Sequence, residues 1–321
     1  MRFAIGIPTL GRAETVLGTL QELARQSRVP DRIVVCCART DDVPAQARRM
    51  DRVKCIASER GSSRQRNRII DHVEDCDAVL FLDDDFVPCD DYLAVVERLF
   101  EARPKAAVIT GTVLADGVTG KGLTFDEARA ILDADDFAGE PLHTEPVPNG
   151  YGCNMAIRLA PVREHGLAFD ERLPLYGWQE DAELSCRLSS YGEVLRVAGA
   201  RGVHLGVKAG RSVGIQFGYS QVVNPLYIAR GVPAYTMRRA LAQIGRNLAA
   251  NVLHSARPEP WIDRRGRLHG NVLGLLDVLR GQITPERVLT LGVPARPREL
   301  GADMVWQTRD SLPEIRRDGA R

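Results

Sequence analysis

The sequence predicts an α/β fold: a mainly parallel, Rossmann-like sheet with flanking helices, followed by a helical carboxyl-terminal extension. Through the first half of the chain, short wholly apolar runs alternate with segments of helical apolar spacing. That is the rhythm of a parallel sheet covered on both faces. Beyond Pro233 only helical spacing remains.

The elements follow in order. Phe3–Ile7 is apolar and closes at Pro8-Thr9; Val16, Leu17, Leu20, Leu23 and Ala24 then recur at helical spacing. Arg32–Cys37 is a near-continuous apolar run, as a strand buried on both faces requires. Val53–Ala57 is a third strand. Ser62 and Ser63 are expected to cap a helix through about Val73. Ala78–Leu82 is a fourth buried strand, followed at once by Asp83-Asp84-Asp85. Tyr92–Ala102 reads as a helix and Ala106–Thr112 as a strand. From Ala115 to Asn149 the pattern breaks, apart from Thr124 and Glu127 at capping-box spacing. Such irregularity inside a compact domain marks functional or mobile segments. Cys153–Leu159, a helix around Glu180–Tyr191 and a strand near Glu193–Val197 restore order. Met237, Leu241, Ile244, Leu248 and Val252 form one apolar helical stripe, and Leu268, Val272, Leu275, Leu276 and Leu279 a second. Pro285 opens a third short helix. Roughly the last 20 residues are charged and expected to fray.

With 321 residues, 44% hydrophobic and 26% charged, the chain can bury a sizeable core. No apolar stretch approaches the roughly 18 residues of a membrane span. The opening MRFAIGIPTLGR is broken by Pro8 and reads as a first strand, not a secretion signal. Seven cysteines without CxxC spacing argue against a zinc cluster or disulfide framework and for a reducing, cytoplasmic setting. Net charge is +1, yet residues 201–321 hold 19 Lys+Arg against 9 Asp+Glu. The acidic front suits a metal site; the basic rear suits phosphates or an anionic membrane surface.

Two acidic motifs carry the chemistry. Asp83-Asp84-Asp85 stands at the carboxyl end of a buried strand, where carboxylates are costly unless something positive sits among them. Ligands of open α/β sheets bind at that end, and hard oxygen donors suit Mg²⁺ or Mn²⁺ bridging to substrate phosphates. A solvated acidic turn before Pro88 is the plainer reading. Glu180 and Asp181 stand where a helix begins, so the pair could serve as helix-dipole capping. Gly177 and Trp178 just ahead of it instead suggest a binding wall beside a general base.

Together the motifs resemble the family 2 inverting glycosyltransferases of the GT-A fold over residues 3–211. The resemblance rests on Ile7-Pro8-Thr9 with Arg12, Gly61 through Arg66-Asn67, Phe81–Asp85, Gly152 through Arg158, and Phe169–Asp181. It implies a metal-assisted transferase using a nucleotide-sugar, with a UDP-sugar favoured. It further implies that Asp83 contacts the nucleotide ribose, Asp85 and the late His204 bind Mn²⁺ or Mg²⁺, and Asp181 is the base with Glu180 assisting. Pro8, Thr9, Arg12, Arg64, Asn67, Asp84, Lys208 and Arg211 would line the nucleotide and its phosphates. Trp178 and Asn154 would meet the acceptor. The family's acidic residue after the second strand is missing here; either Asp41 or Asp42 substitutes from a shifted turn, or the base is held differently.

The rival readings are a nucleotidyltransferase, which the glycine-poor first turn disfavours, and a non-catalytic sugar- or partner-binding module. No GxGxxG follows the first strand, against a dinucleotide dehydrogenase. The expected organisation is a catalytic domain over residues 1–232 and a helical extension over 233–321. The acceptor would be a glycan or lipid-linked hydroxyl, with no nucleic acid involved. The extension suits a packed cap, a homodimer interface, or a basic amphipathic surface peripheral to the inner face of the membrane.

Overall fold

The computed structural model describes residues 1–210, 212–257, 259–292 and 305–306. The strands are β1 Phe3–Thr9, β2 Arg32–Cys37, β3 Val53–Ala57, β4 Ala78–Leu82, β5 Phe86–Pro88, β6 Ala106–Asp116, β7 Thr144–Pro146, β8 Asn154–Arg158, β9 Glu193–His204 and β10 Val305–Trp306. They form one sheet in the order β10-β3-β2-β1-β4-β8-β6-β9-β5, with β7 added against β9.

The predicted parallel order holds over β3-β2-β1-β4. Beyond β4 the sheet is mixed: β8 runs antiparallel to both β4 and β6, and β9 runs parallel to β6. Strand β4, wholly buried, and β1, buried but for Pro8, occupy the middle of the sheet, as their apolar runs require. One apolar cluster fills each face. Val16, Leu20, Leu93 and Val96 cover one, from α1 (Ala13–Leu23) and α3 (Tyr92–Ala102). Ile69, Val162 and Leu184 cover the other, from α2 (Ser62–Ile70), α5 (Leu159–Glu164) and α6 (Glu180–Leu188).

Three local readings change and one holds. The residue before α2 is Gly61 at φ 149°, and neither Ser62 nor Ser63 caps the helix; their hydroxyls donate to Glu180 and to the Leu173 carbonyl. The strand expected near Glu193–Val197 continues to His204, because β6 and β5 offer it partners along its whole length. The helix opened by Pro285 is a 3₁₀ turn over Pro285–Thr290. Thr124 does cap α4 (Phe125–Asp133), in the expected box with Glu127.

The last helices are α7 (Gly214–Gly231), α8 (Met237–Ser255) and α9 (Arg264–Leu279). Their apolar stripes largely face outward. Met237, Leu241 and Val252 are exposed on α8, and Val272, Leu276 and Leu279 on α9, with Leu279 83% exposed. Helix α9 buries Gly270, Asn271, Gly274 and Asp277 instead. Its glycines let it approach α7 so closely that a Cβ at Gly270 would collide with the Ile215 carbonyl. Asn251, Gln221 and Asn271 hydrogen-bond one another in that interior. Within the end expected to fray, Val305–Trp306 pair antiparallel with β3; the rest of it lies outside the described residues.

Candidate active site

The site lies at the carboxyl ends of β1 and β4, where the strands stop hydrogen-bonding to one another and their terminal groups face open space. Asp83, Asp84 and Asp85 leave β4 together but serve different ends. Asp84 is buried, accepting from Thr9 Oγ1 at 2.6 Å and from the Arg12 guanidinium at 2.8 Å. Burial pushes its carboxyl up to about 7 against the pull of Arg12. Arg12 also donates to the Ala209 and Val207 carbonyls, tying the first turn to the segment after β9. Arg12 and Asp84, expected to bind the nucleotide, pair with each other and both line the cleft.

Asp83 and Asp85 turn the other way, toward His204 at the end of β9. Ligand atoms of the three lie within 4.8 Å of one another. His204 Nε2 is 3.2 Å from Asp85 Oδ1 and 3.9 Å from Asp83 Oδ2. Asp85 Oδ1 is buried without a hydrogen bond among the described residues, while Oδ2 accepts the Val207 amide at 2.7 Å. A buried carboxylate oxygen left unbonded beside an imidazole nitrogen has the donor chemistry of a cation site. The trio therefore fits Mn²⁺ or Mg²⁺. Burial works against a charged imidazole at His204, but Asp116 and Asp85 outweigh it and raise the ring to about 10. Asp116 Oδ1, at the end of β6, lies 3.1 Å from His204 Nδ1, the usual backing of a metal-ligating histidine. No sequence motif marks Asp116; only the pairing of β6 with β9 brings it there.

Across the cleft, α6 begins with Glu180 and Asp181. The chain enters it through Leu175 at φ 60°, Gly177 at 63° and Gln179 at 72°. Left-handed backbone at two non-glycine residues is uncommon and concentrates at functional sites. Asp181 Oδ2 accepts the Gly152 amide at 2.8 Å and Oδ1 the Ala182 amide at 2.7 Å. Burial raises its pKa against these bonds and against Arg66. Burial likewise pushes Glu180 up to about 7, opposed by Arg66 and by Ser62, whose hydroxyl donates at 2.9 Å.

Arg66 joins the two acidic motifs. It pairs with Glu180, donates to Asp83 Oδ1 at 3.2 Å and to the Gly152 carbonyl at 2.9 Å, and packs on the Phe81 and Phe169 rings. Ser62 and Arg66, four apart on α2, share its cleft-facing side. Arg64 lies on the opposite side, pairing with Glu59 and Glu171. Asn67 is spent on Phe169 and Glu171. Neither contacts the cleft as expected; Arg66 does.

Three more assignments change. Asn154 is wholly buried in β8, its Oδ1 bonded to Thr110 at 2.5 Å, so it cannot meet an acceptor. Lys208 donates to the Gly117 and Val118 carbonyls, folding the chain after β9 onto the end of β6. Asp42 is buried and accepts from the Gly11 and Arg39 amides, so it braces the first turn, while Asp41 pairs with Arg39 on the surface. Arg211 lies outside the described residues.

The cleft has two lobes that share Ser62, Asp83 and Tyr176. One is lined by Pro8, Thr9, Arg12, Arg60, Gly61 and Gln65. The other, about 430 Å³, is lined by Asp181, Glu180, Trp178, Tyr151 and His204, with Arg239 and Arg246 of α8. Trp178 forms its wall, edge-on to Phe217 at 5.0 Å.

Residues 1–141 match the family described as glycosyltransferase like family 2. No curated protein matches the chain. Among solved structures it resembles a mannosyltransferase from Pyrobaculum calidifontis in complex with GDP-Man and Mn²⁺, at 17% identity and TM-score 0.53, covering 90% of this chain and 85% of that one. It also resembles residues 1–349 of S. aureus TarS, at 15% identity and TM-score 0.52, covering 91% and 83%. A third likeness is GalNAc-T7 with UDP, GalNAc and Mn²⁺, at 14% identity and TM-score 0.51, covering 91% and 56%. The chain spans only 39% of the longer TarS structure. These likenesses show the GT-A fold.

Proposed function

We propose, on the premise that this chain carries a glycosyltransferase-like family 2 domain of the GT-A fold, that it transfers a sugar from a nucleotide-sugar to an acceptor hydroxyl with inversion. The observation that carries the reading is the opposition of two groups across one cleft. A buried carboxylate fixed by two amides, Asp181, faces the Asp83, Asp85 and His204 trio. Inversion needs this separation: a base on the acceptor side and positive charge on the leaving-group side.

The residues then divide the work. Pro8, Thr9 and Arg12 with Arg60, Gly61, Ser62 and Gln65 line the lobe for the nucleoside, and Asp83 at the junction reaches the ribose. Asp83, Asp85 and His204 would hold Mn²⁺ or Mg²⁺, whose charge offsets the departing diphosphate. Asp181 takes the acceptor proton as the acceptor oxygen bonds to the anomeric carbon. The carbon–oxygen bond to the diphosphate breaks, and its electron pair leaves with the nucleoside diphosphate. Glu180, held by Arg66 and Ser62, orients the acceptor. Trp178 offers an apolar wall to a sugar ring. A UDP-sugar is the first donor candidate, although no carboxylate from Asp41 or Asp42 reaches this lobe.

The outward faces of α8 and α9 support an acceptor at an anionic lipid surface. Helix α8 contains no Asp or Glu, and the one acid of α9, Asp277, is buried. Exposed Leu241, Val252, Val272, Leu276 and Leu279 are accompanied by exposed Arg238, Arg265 and Arg280. A two-fold dimer through this face would appose like charges, whereas an anionic bilayer complements both features. No described helix is long and apolar enough to cross a membrane. In co-sedimentation, Leu241→Glu with Leu276→Glu should abolish binding to phosphatidylglycerol vesicles; unchanged binding rejects the lipid contact.

Thermal melting against UDP, GDP, CDP and dTDP, each with and without Mn²⁺, tests the donor site. Ligand at about 100 times its Kd adds roughly 2.7 kcal/mol of stability. One nucleotide should stabilise, and only with metal. No response to any of them overturns the transferase reading in favour of a binding module.

A further inference from the structure

Helix α8 presents Arg239, Gln243 and Arg246 to the lobe that holds Asp181. The spacing of four and then three residues puts all of them on one side of the helix. None of the three lines the other lobe, beside Pro8–Arg12.

Arg239 is held in place by neutral groups. Its guanidinium donates to Asn149 Oδ1 and approaches the Pro148 carbonyl and Cys186 Sγ at 3.5 Å each, and it lies over the Tyr235 ring at 4.4 Å. Burial pushes the Cys186 thiol up, so that partner is uncharged. Arg246 donates to Gln243 Oε1 at 2.6 Å. Among the described residues, neither arginine appears in any ion pair. The contrast with the rest of the site is sharp. Arg12 is paired with Asp84, and Arg66 with Glu180 and Asp83. The lobe is therefore polarised: its acids lie at the α6 and β4 side, and two cations without carboxylate partners lie at the α8 side.

A guanidinium fixed by neutral acceptors keeps its full charge for an incoming oxyanion, and Arg presents a fork that matches phosphate. Resting on the glycosyl-transfer reading above, we propose that the acceptor carries a phosphate near the hydroxyl that is glycosylated, and that Arg239 and Arg246 bind it. The phosphate on α8 and the hydroxyl at Asp181 would fix the acceptor at two points, directing its oxygen at the anomeric carbon. The α8 pair thus selects the acceptor, while the donor diphosphate belongs to the Asp85 and His204 side.

The test uses the full chain saturated with Mn²⁺ and whichever nucleoside diphosphate stabilises it. Glucose 6-phosphate, glucuronic acid and glucose are titrated calorimetrically, alongside vesicles of phosphatidylglycerol and of phosphatidylcholine. Wild type should bind glucose 6-phosphate at least ~10-fold more tightly than glucose, and Arg239→Gln with Arg246→Gln should erase that preference. Preference for the sugar phosphate places the phosphate in a glycan. Preference confined to phosphatidylglycerol vesicles, and lost in the same double variant, places it in a lipid headgroup. Equal binding of charged and neutral ligands, a preference for glucuronic acid alone, or a preference that survives the double variant overturns the proposal. So does loss of nucleotide affinity in that variant, which would move the arginines to the donor. Failure of wild type to bind any nucleoside diphosphate rejects the transferase reading itself, a result distinct from all of these.

Discussion

The Gly152 amide donates to Asp181 Oδ2 at 2.8 Å, and a Cβ at residue 152 would stand 3.1 Å from that oxygen. The bond connects the turn before β8 to the first turn of α6, so the proposed base is aimed by backbone rather than by a mobile side chain. Its other oxygen is fixed by the Ala182 amide.

Asp181→Asn keeps the shape and loses the proton acceptor. Transfer should fall by at least about 10³-fold, within the range for loss of a general base. Nucleotide-dependent thermal shifts should stay as in wild type. Near-normal turnover would remove Asp181 from the role.

The pH profile carries a second expectation. Burial raises Asp181 and pushes Glu180 up to about 7, whereas an ordinary carboxylic acid titrates near about 4. A protonated base cannot accept a proton, so kcat/KM should rise with pH along an acid limb displaced above the ordinary carboxylate range. The sign for stability is opposite: groups whose folded pKa is raised favour the protonated form, so their contribution weakens as pH rises through neutrality. Glu180→Gln removes a neighbouring negative charge and should move the limb to lower pH. An acid limb at ordinary carboxylate pH in wild type would contradict this environment.

Asp116 backs His204 through Nδ1 at 3.1 Å, and Asp116→Asn weakens that support without removing a ligand atom from the trio. Mn²⁺ affinity, read by calorimetry in the presence of the nucleotide, should drop about 10- to 100-fold. His204→Gln should cost at least as much. Unaltered Mn²⁺ titrations in both variants would place the cation elsewhere.

Arg66 is buried among Glu180, Asp83 and two aromatic rings. Arg66→Met strands Glu180 beneath the surface and should destabilise the fold by about 3–5 kcal/mol in urea unfolding at neutral pH. Adding Glu180→Gln should recover part of the loss. No recovery would show that the packing of Arg66, not its charge, carries the effect.

Sequence alone marked seven of the ten described strands, all but β5, β7 and β10, and the described helices other than α5 and α7. Arg32–Cys37, Val53–Ala57, Ala78–Leu82 and Tyr92–Ala102 end where their apolar patterns end, because wholly buried strands and amphipathic helices leave local signatures. It also marked Asp83, Asp85 and Asp181, since carboxylates at a buried strand end or a helix start stand out against apolar neighbours, while His204 was marked only through the family resemblance. Tertiary structure decided everything that depends on which way a side chain turns. It spent Asp84 on Thr9 and Arg12, Asn67 on Phe169, Asn154 on Thr110 and Lys208 on two carbonyls, leaving Arg66 and Asp116 in contact with the site. It also turned the α8 and α9 stripes outward, because close approach of α7 and α9 selects glycine and a polar network for the inside. Spacing reports the period of a helix, but only its neighbours determine which face they cover.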